Sequence, residues 1–210
     1  MDVYTSEAQQ IAEIKKWWQE NGLSIVLGLT LGISAIFGWR YWQGVKVEQA
    51  ESASVLYSDM IASLQDEDRA EIRELANMIL AEYEDTTYGV FAMLALARLA
   101  VTDDDLDTAE AQLRQALKQN DDDALSHVIR IRLVRVLISR NKLDEASNLV
   151  DRQEQGAFAS SYDELMGDIS AMQGDLEAAR NSYQQSANKA RAEGRDISTI
   201  ELKLNNIGQF

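Results

Sequence analysis

The chain has 210 residues, with 35 acidic against 20 basic side chains for a formal net charge of −15, and it contains neither proline nor cysteine. That length allows one domain with a sizeable core, or a smaller domain with appendages. The acid excess argues against nucleic acid, whose phosphates need a basic footprint, and the missing cysteine excludes disulfides, thiolate catalysis and cysteine-ligated metals.

The charge is distributed unevenly. Residues 1–46 hold four basic and four acidic side chains, so the remainder carries the whole excess, 16 basic against 31 acidic. The absence of proline fits a chain that is helical almost throughout, because proline breaks a helix interior.

The first element is KKWWQENGLSIVLGLTLGISAIFGWRYW, in which residues 23–39 carry no charge. Seventeen residues of helix rise roughly 26 Å, against a hydrocarbon layer about 30 Å thick. All four tryptophans of the chain, Trp17, Trp18, Trp39 and Trp42, flank this run. With Tyr41 they form two aromatic girdles of the kind found at headgroup depth, and Arg40 can snorkel its guanidinium outward. A buried core helix does not need tryptophan at both ends. A cleavable signal needs small residues at its cut site, whereas AIFGWRYW crowds each candidate site with bulk. An uncleaved anchor spanning residues 23–42 is therefore expected.

Orientation is balanced on charge alone, since Lys15 and Lys16 precede the span and Arg40 and Lys46 follow it. The tight basic pair and the acidic bulk of the chain favour a cytoplasmic N-terminus. Within the span Ser24, Gly28 and Gly32 recur every four residues, and Ser34 and Gly38 repeat the spacing. Such a row permits close approach of a partner helix, although glycine is common in membrane helices anyway.

A helix-compatible segment follows Gly44 and meets a polar break at residues 65–68, then RAEIRELANMILAEY reads as the next helix. TTYG precedes VFAMLALARLAV, which Arg98 interrupts and which is too short to span a bilayer, so it reads as a buried helix of a packed array.

An internal repeat then appears in DDDLDTAEAQLRQAL, SRNKLDEASNLV and QGDLEAARNSYQQSA. Alignment superposes Leu106, Leu143 and Leu176, then Ala109, Ala146 and Ala179, then Leu113, Val150 and Tyr183. The offsets are 37 and 33 residues, close to the tetratricopeptide period of about 34. A small residue where two helices cross lets the backbones approach, and the larger one a turn later fills the gap to the next pair. Leu96–Ala97, Leu133–Val134 and Met166–Gly167 occupy the matching places of the first helices, and Gly174 suits a left-handed turn. The last segment, with Ile197, Ile200, Leu202, Leu204 and Ile207, reads as a capping helix. The expected fold class is all-α, a single N-terminal transmembrane helix followed by an α-solenoid of tetratricopeptide-like helix pairs.

Catalytic signatures are missing: the sequence has no glycine-rich phosphate loop, no HExxH and no nucleophile elbow. His127 is the only histidine and suits packing or a surface role. The acidic triplets at 103–105 and 121–123 lack EF-hand spacing and suit helix caps. Arg130, Arg132 and Arg135, with Arg140 nearby, make one basic patch in an acidic domain. It either receives a partner's carboxylates or pairs internally with the acidic loops. No cofactor and no metal are expected.

KKWWQENG, the anchor ending in GWRYW, TTYG before an apolar helix and the terminal LKLNNI together resemble the YfgM-like family of ancillary SecYEG translocon subunits. The resemblance covers essentially the whole chain. It implies a bacterial inner-membrane, single-pass protein with a cytoplasmic segment at 1–22, the anchor at 23–42, a linker and first helix pair at 43–86, repeats at 87–195 in the periplasm, and a cap at 196–210. It further implies association with the SecYEG channel and a PpiD-like periplasmic chaperone, contact with unfolded periplasmic or outer-membrane clients, and no enzyme activity. A scaffold for another cell-envelope complex is the alternative; an envelope enzyme is disfavoured because no reactive pair is apparent.

Overall fold

The computed structural model describes residues 7–151 and 156–207; the ends of the expected N-terminal segment and capping helix lie outside them. The described residues are all helical or in short connections. They comprise α1 (Glu7–Gln65), α2 (Arg69–Tyr83), α3 (Thr87–Thr102), α4 (Leu106–Gln119), α5 (Asp123–Ser139), α6 (Leu143–Asp151), α7 (Ala159–Met172), α8 (Leu176–Ala192) and α9 (Ser198–Ile207). A 3-10 turn, Gly156–Phe158, precedes α7.

The chain divides into two units, one ending at Gln49 and one beginning at Ala50. In the first, α1 is apolar and almost wholly exposed, with a mean hydropathy of 1.8 over its most apolar window. It is long and apolar enough to cross a membrane. Residues 43–65, read above as the start of a linker and helix pair, continue the same helix, because nothing between Gly44 and the polar break at residue 65 interrupts helical hydrogen bonding.

The second unit stacks helix pairs. From α2 onward each helix packs against its sequence neighbours, and α5 also packs on α7, so the first helices of those two pairs touch. The pairs are α3 with α4, α5 with α6, and α7 with α8. Leu106, Leu143 and Leu176 are the first residues of the three second helices. Ala109, Ala146 and Ala179 are fully buried, and Leu113, Val150 and Tyr183 nearly so. Leu106 and Leu143 pack at the edge of the main core, whereas Leu176 is 37% exposed.

Five connections share one geometry. Glu67, Asp104, Asn141, Gly174 and Gly194 take positive φ, between 57° and 85°. In each, the next N–H donates to a carbonyl five residues back: Asp68 to Ser63 at 3.0 Å, and Asp105 to Ala100, Lys142 to Leu137, Asp175 to Ser170 and Arg195 to Ala190, each at 2.9 Å. This closure satisfies carbonyls that a helix end leaves free. Asp104, Asn141 and Gly174 stand at the same offsets as the aligned leucines.

The acidic triplets supply caps. The Asp105 side chain accepts from the Thr108 N–H at 3.1 Å and Asp122 from the Leu125 N–H at 2.7 Å, while Asp175 does the same for α8. The hydrogen bonds to Thr108 hold the Asp105 carboxyl below its ordinary range. Thr86 caps α3, which begins inside the TTYG motif at Thr87.

At the far end, Ile200 of α9 is buried against Ala179, Tyr183, Ala187 and Ala190, with Ile197, Leu204 and Ile207 beside them. Leu202, grouped above with these apolar positions, faces solvent at 64% exposure, because the covering face of so short a helix is narrow. Lys203 reaches back to α7, donating to Glu164 at 2.7 Å and Asp168 at 2.7 Å.

Candidate functional site

Helical periodicity sorts the side chains of the second unit into those that fill the core and those that line a groove of about 720 Å³. From α1 come Tyr57, Met60, Ile61 and Leu64, spaced three and four apart on one face. From α3 come Leu94, Arg98 and Val101, and from α5 Leu125, Val128, Arg132, Arg135 and Ser139. Both sets keep the three-and-four spacing of a single helical stripe. The groove is thus built on the first helices of successive pairs, with an aromatic wall in which Tyr57 lies 5.2 Å from Phe91, centroid to centroid.

The lining is mainly apolar, and its charged members are Arg98, Arg132 and Arg135, with no aspartate or glutamate. All three are exposed. Among the described residues none of their guanidinium groups has a hydrogen-bond or ion-pair partner.

Four other arginines of this region are paired with carboxylates. Arg69 and Arg73 both pair with Asp103. Arg140 pairs with Asp107 and with Glu110. Glu110 also receives Arg114 at 2.8 Å and Lys142 at 3.0 Å, and Arg114 extends to Glu145 at 2.5 Å. Burial alone would raise the Glu110 carboxyl, but the hydrogen bonds and charges of Lys142 and Arg114 outweigh it and hold the group below its ordinary range. Arg114 is held above its own ordinary range by Glu110 and Glu145, against the effect of burial.

The arginines grouped in sequence therefore part company. Arg140 pairs internally with the acidic face of α4. Arg130 turns toward the core and donates to the Tyr162 hydroxyl at 3.4 Å. His127 meets the same hydroxyl at 2.8 Å through Nδ1 and stacks on Phe158 with ring centroids 4.8 Å apart. Arg132 and Arg135 face the groove, where they join Arg98. Helical spacing already sets Arg130 apart from Arg132 and Arg135, which share a face, whereas Arg98 hid inside an apolar run read as buried. Its unlike charge in that run was the available signal.

On α1, Trp17, Trp18, Trp39, Tyr41 and Trp42 are all exposed. Trp39 and Trp42 lie 5.3 Å apart, and Lys46 places its ammonium 4.1 Å over the Trp42 ring. Arg40 stands between them in sequence and is likewise exposed. Ser24 is exposed, and Gly28 and Gly32 have open space where a Cβ would stand.

Among the described residues no group of three or more histidine, aspartate or glutamate side chains is arranged to hold a metal ion.

Comparison with known proteins agrees with this architecture. The tetratricopeptide repeat-like domain family matches residues 15–209. The ancillary SecYEG translocon subunit of Haemophilus influenzae is 36% identical over 203 residues, covering 96% of this chain and 97% of that protein. The chain belongs to this family. Its relative of the same name in Aggregatibacter actinomycetemcomitans is 34% identical, covering 96% of this chain and 97% of that protein. That of Escherichia coli is 31% identical over 99% of both. These relatives are named as ancillary subunits, not as enzymes. No solved structure matches the chain. The family match begins ahead of the apolar run and continues through α9, so membrane-type helix and repeats belong to one inherited unit.

Proposed function

We propose that this chain is a non-enzymatic accessory subunit of the SecYEG translocon, held in the bacterial inner membrane by the apolar part of α1. The N-terminus is cytoplasmic and the repeat domain periplasmic. The observation that carries the reading is the extent of the likeness, which covers 96% of the chain and 97% of its Haemophilus influenzae relative at 36% identity, anchor and repeats together. The exposed aromatic girdles of α1 support insertion, and its tight basic pair Lys15 and Lys16 favours that sense.

In this reading the anchor helix packs on the channel through its Ser24, Gly28 and Gly32 face, where open space admits another backbone. The repeat domain receives protein elements, a PpiD-like periplasmic chaperone among them, and helps newly translocated periplasmic or outer-membrane clients pass to folding factors.

The test is purification of the full-length protein from membranes in mild detergent, with partners identified by mass spectrometry. A control replaces residues 23–39 with an unrelated single-pass helix. Recovery of the channel subunits and a periplasmic chaperone is expected, with loss of the channel in the replacement. Enrichment of a different envelope complex in place of the channel overturns the reading in favour of a scaffold for that complex.

A further inference from the structure

We infer that the groove between α1, α3 and α5 receives a short peptide segment that presents apolar side chains flanked by carboxylates. This rests on the reading above that the repeat domain binds protein elements, and it names the chemistry of one of them.

Three observations point the same way. The first is charge. In a chain with 35 acidic and 20 basic residues, a surface lined by three arginines and no carboxylate is against the trend of the whole. The arginines come from two helices, Arg98 from α3 and Arg132 and Arg135 from α5, so their meeting is a product of the fold.

The second is pairing. Arg69, Arg73, Arg114 and Arg140 are each matched to an internal carboxylate. Arg98, Arg132 and Arg135 have none among the described residues, although the acidic loops lie only a helix length away in sequence. A guanidinium presents a planar fork of donors suited to a carboxylate, and it is less strongly hydrated than an ammonium. Three such groups left open around one apolar floor form a site complementary to a negative ligand.

The third is size and polarity. About 720 Å³ falls in the range of ligand pockets, roughly 300–1,000 Å³. It holds a few side chains and excludes a folded domain. The apolar floor supplies the burial that a purely ionic surface lacks, and the exposed cations set which segments enter. A flat anionic membrane would meet the arginines and leave the floor unfilled, so a peptide suits the shape better.

The test uses the full-length protein in phosphatidylcholine nanodiscs, with empty nanodiscs as the blank. The probes are short fluorescein-labelled peptides read by anisotropy: one interleaving leucine with glutamate, one in which lysine replaces every glutamate, and one in which serine replaces every leucine. The glutamate–leucine peptide should bind about tenfold or more tightly than either control at low salt, and the advantage should shrink as salt is raised. The variant R98E/R132E/R135E alters exposed side chains only, and circular dichroism checks its fold. It should lose the acidic peptide by about tenfold or more and prefer the lysine peptide.

Equal binding of the acidic and basic peptides, or an unchanged preference in the triple variant, overturns the inference. So does a result in which the arginines govern binding to vesicles containing phosphatidylglycerol while the peptides are ignored. Co-purification of the channel separates the two levels. Channel recovered with no peptide preference removes the groove assignment alone, and channel absent from the wild-type preparation removes the accessory-subunit reading.

Discussion

The ring of Tyr183 on α8 lies against the backbone of α7 at Gly167, so close that a Cβ added to Gly167 would fall inside van der Waals contact with two ring carbons and stand 3.0 Å from a third. Gly167 and Tyr183 occupy the same relative places as Ala97 and Leu113 in the first pair and Val134 and Val150 in the second. All six residues are buried. The helix pairs thus conserve a position rather than a residue, and in the last pair the largest second-helix side chain is matched by the smallest first-helix one.

Gly167→Ala separates propensity from packing. In a helix interior alanine is favoured over glycine by about 1 kcal/mol, whereas overpacking costs about 1–3 kcal/mol. Packing should win, and the variant should melt at lower temperature than the parent when full-length protein in detergent is followed by circular dichroism. Adding Tyr183→Leu removes the ring and should recover part of the loss in a double-mutant cycle. Additive losses would mean that the two residues do not communicate.

Gly174→Ala tests the turn instead. Open space surrounds the position, so a Cβ meets nothing, but φ is +85°. The cost is purely conformational, about 1–2 kcal/mol, and it should not depend on what stands at residue 183. A neutral result would show that the turn relaxes to negative φ.

Acid sensitivity should concentrate at Glu110. Its folded-state carboxyl is depressed, so the stability it contributes is present above the ordinary carboxyl range and is lost as pH falls through the folded value. Glu110→Gln should destabilise the repeats at neutral pH by roughly 1.5–3 kcal/mol and flatten the decline of the melting temperature on acidification. An unchanged acid limb would move the responsibility to other carboxylates.

Tyr183 should mark the alkaline limit. Burial pushes its phenol far above the ordinary value of 10.0, helped by the hydrogen bond to Asp168 at 2.7 Å and the charges on Asp168 and Glu164. A raised acid favours the folded state only while the unfolded phenol keeps its proton. The contribution is therefore complete below the ordinary value and lost as pH rises beyond it. Tyr183→Phe should cost about 1 kcal/mol at neutral pH and show a shallower alkaline decline than the parent.

Periodicity made much of this architecture legible. The aligned leucines mark the starts of α4, α6 and α8, because a helix resumes at a fixed distance from each turn. The aligned alanines are buried because the crossing of two backbones leaves room for nothing larger. What periodicity did not reveal depends on neighbours far away in sequence. Leu176 obeys the repeat and is exposed, since burial depends on what packs against a position and not on its place in the repeat. The left-handed turn was legible at Gly174 and concealed at Asp104 and Asn141, where residues with a side chain adopt it. The groove was least legible, because its cationic rim is assembled from α3 and α5 and its aromatic wall includes the end of α1.

The packing of each helix on its immediate sequence neighbours has a consequence for how the molecule is made. Contacts of short sequence separation form without waiting for distant parts of the chain, so the repeat domain is suited to fold progressively from its N-terminal end as it is delivered. Contacts between non-neighbouring helices are fewer, and one set of them closes the final pair. Asp168 on α7 accepts from both Tyr183 on α8 and Lys203 on α9, so its charge and the Tyr183 hydroxyl are satisfied together only after α9 docks. A chain stopped before residue 198 would carry all the residues of the groove and leave Tyr183, Ala187 and Ala190 without the cover of α9.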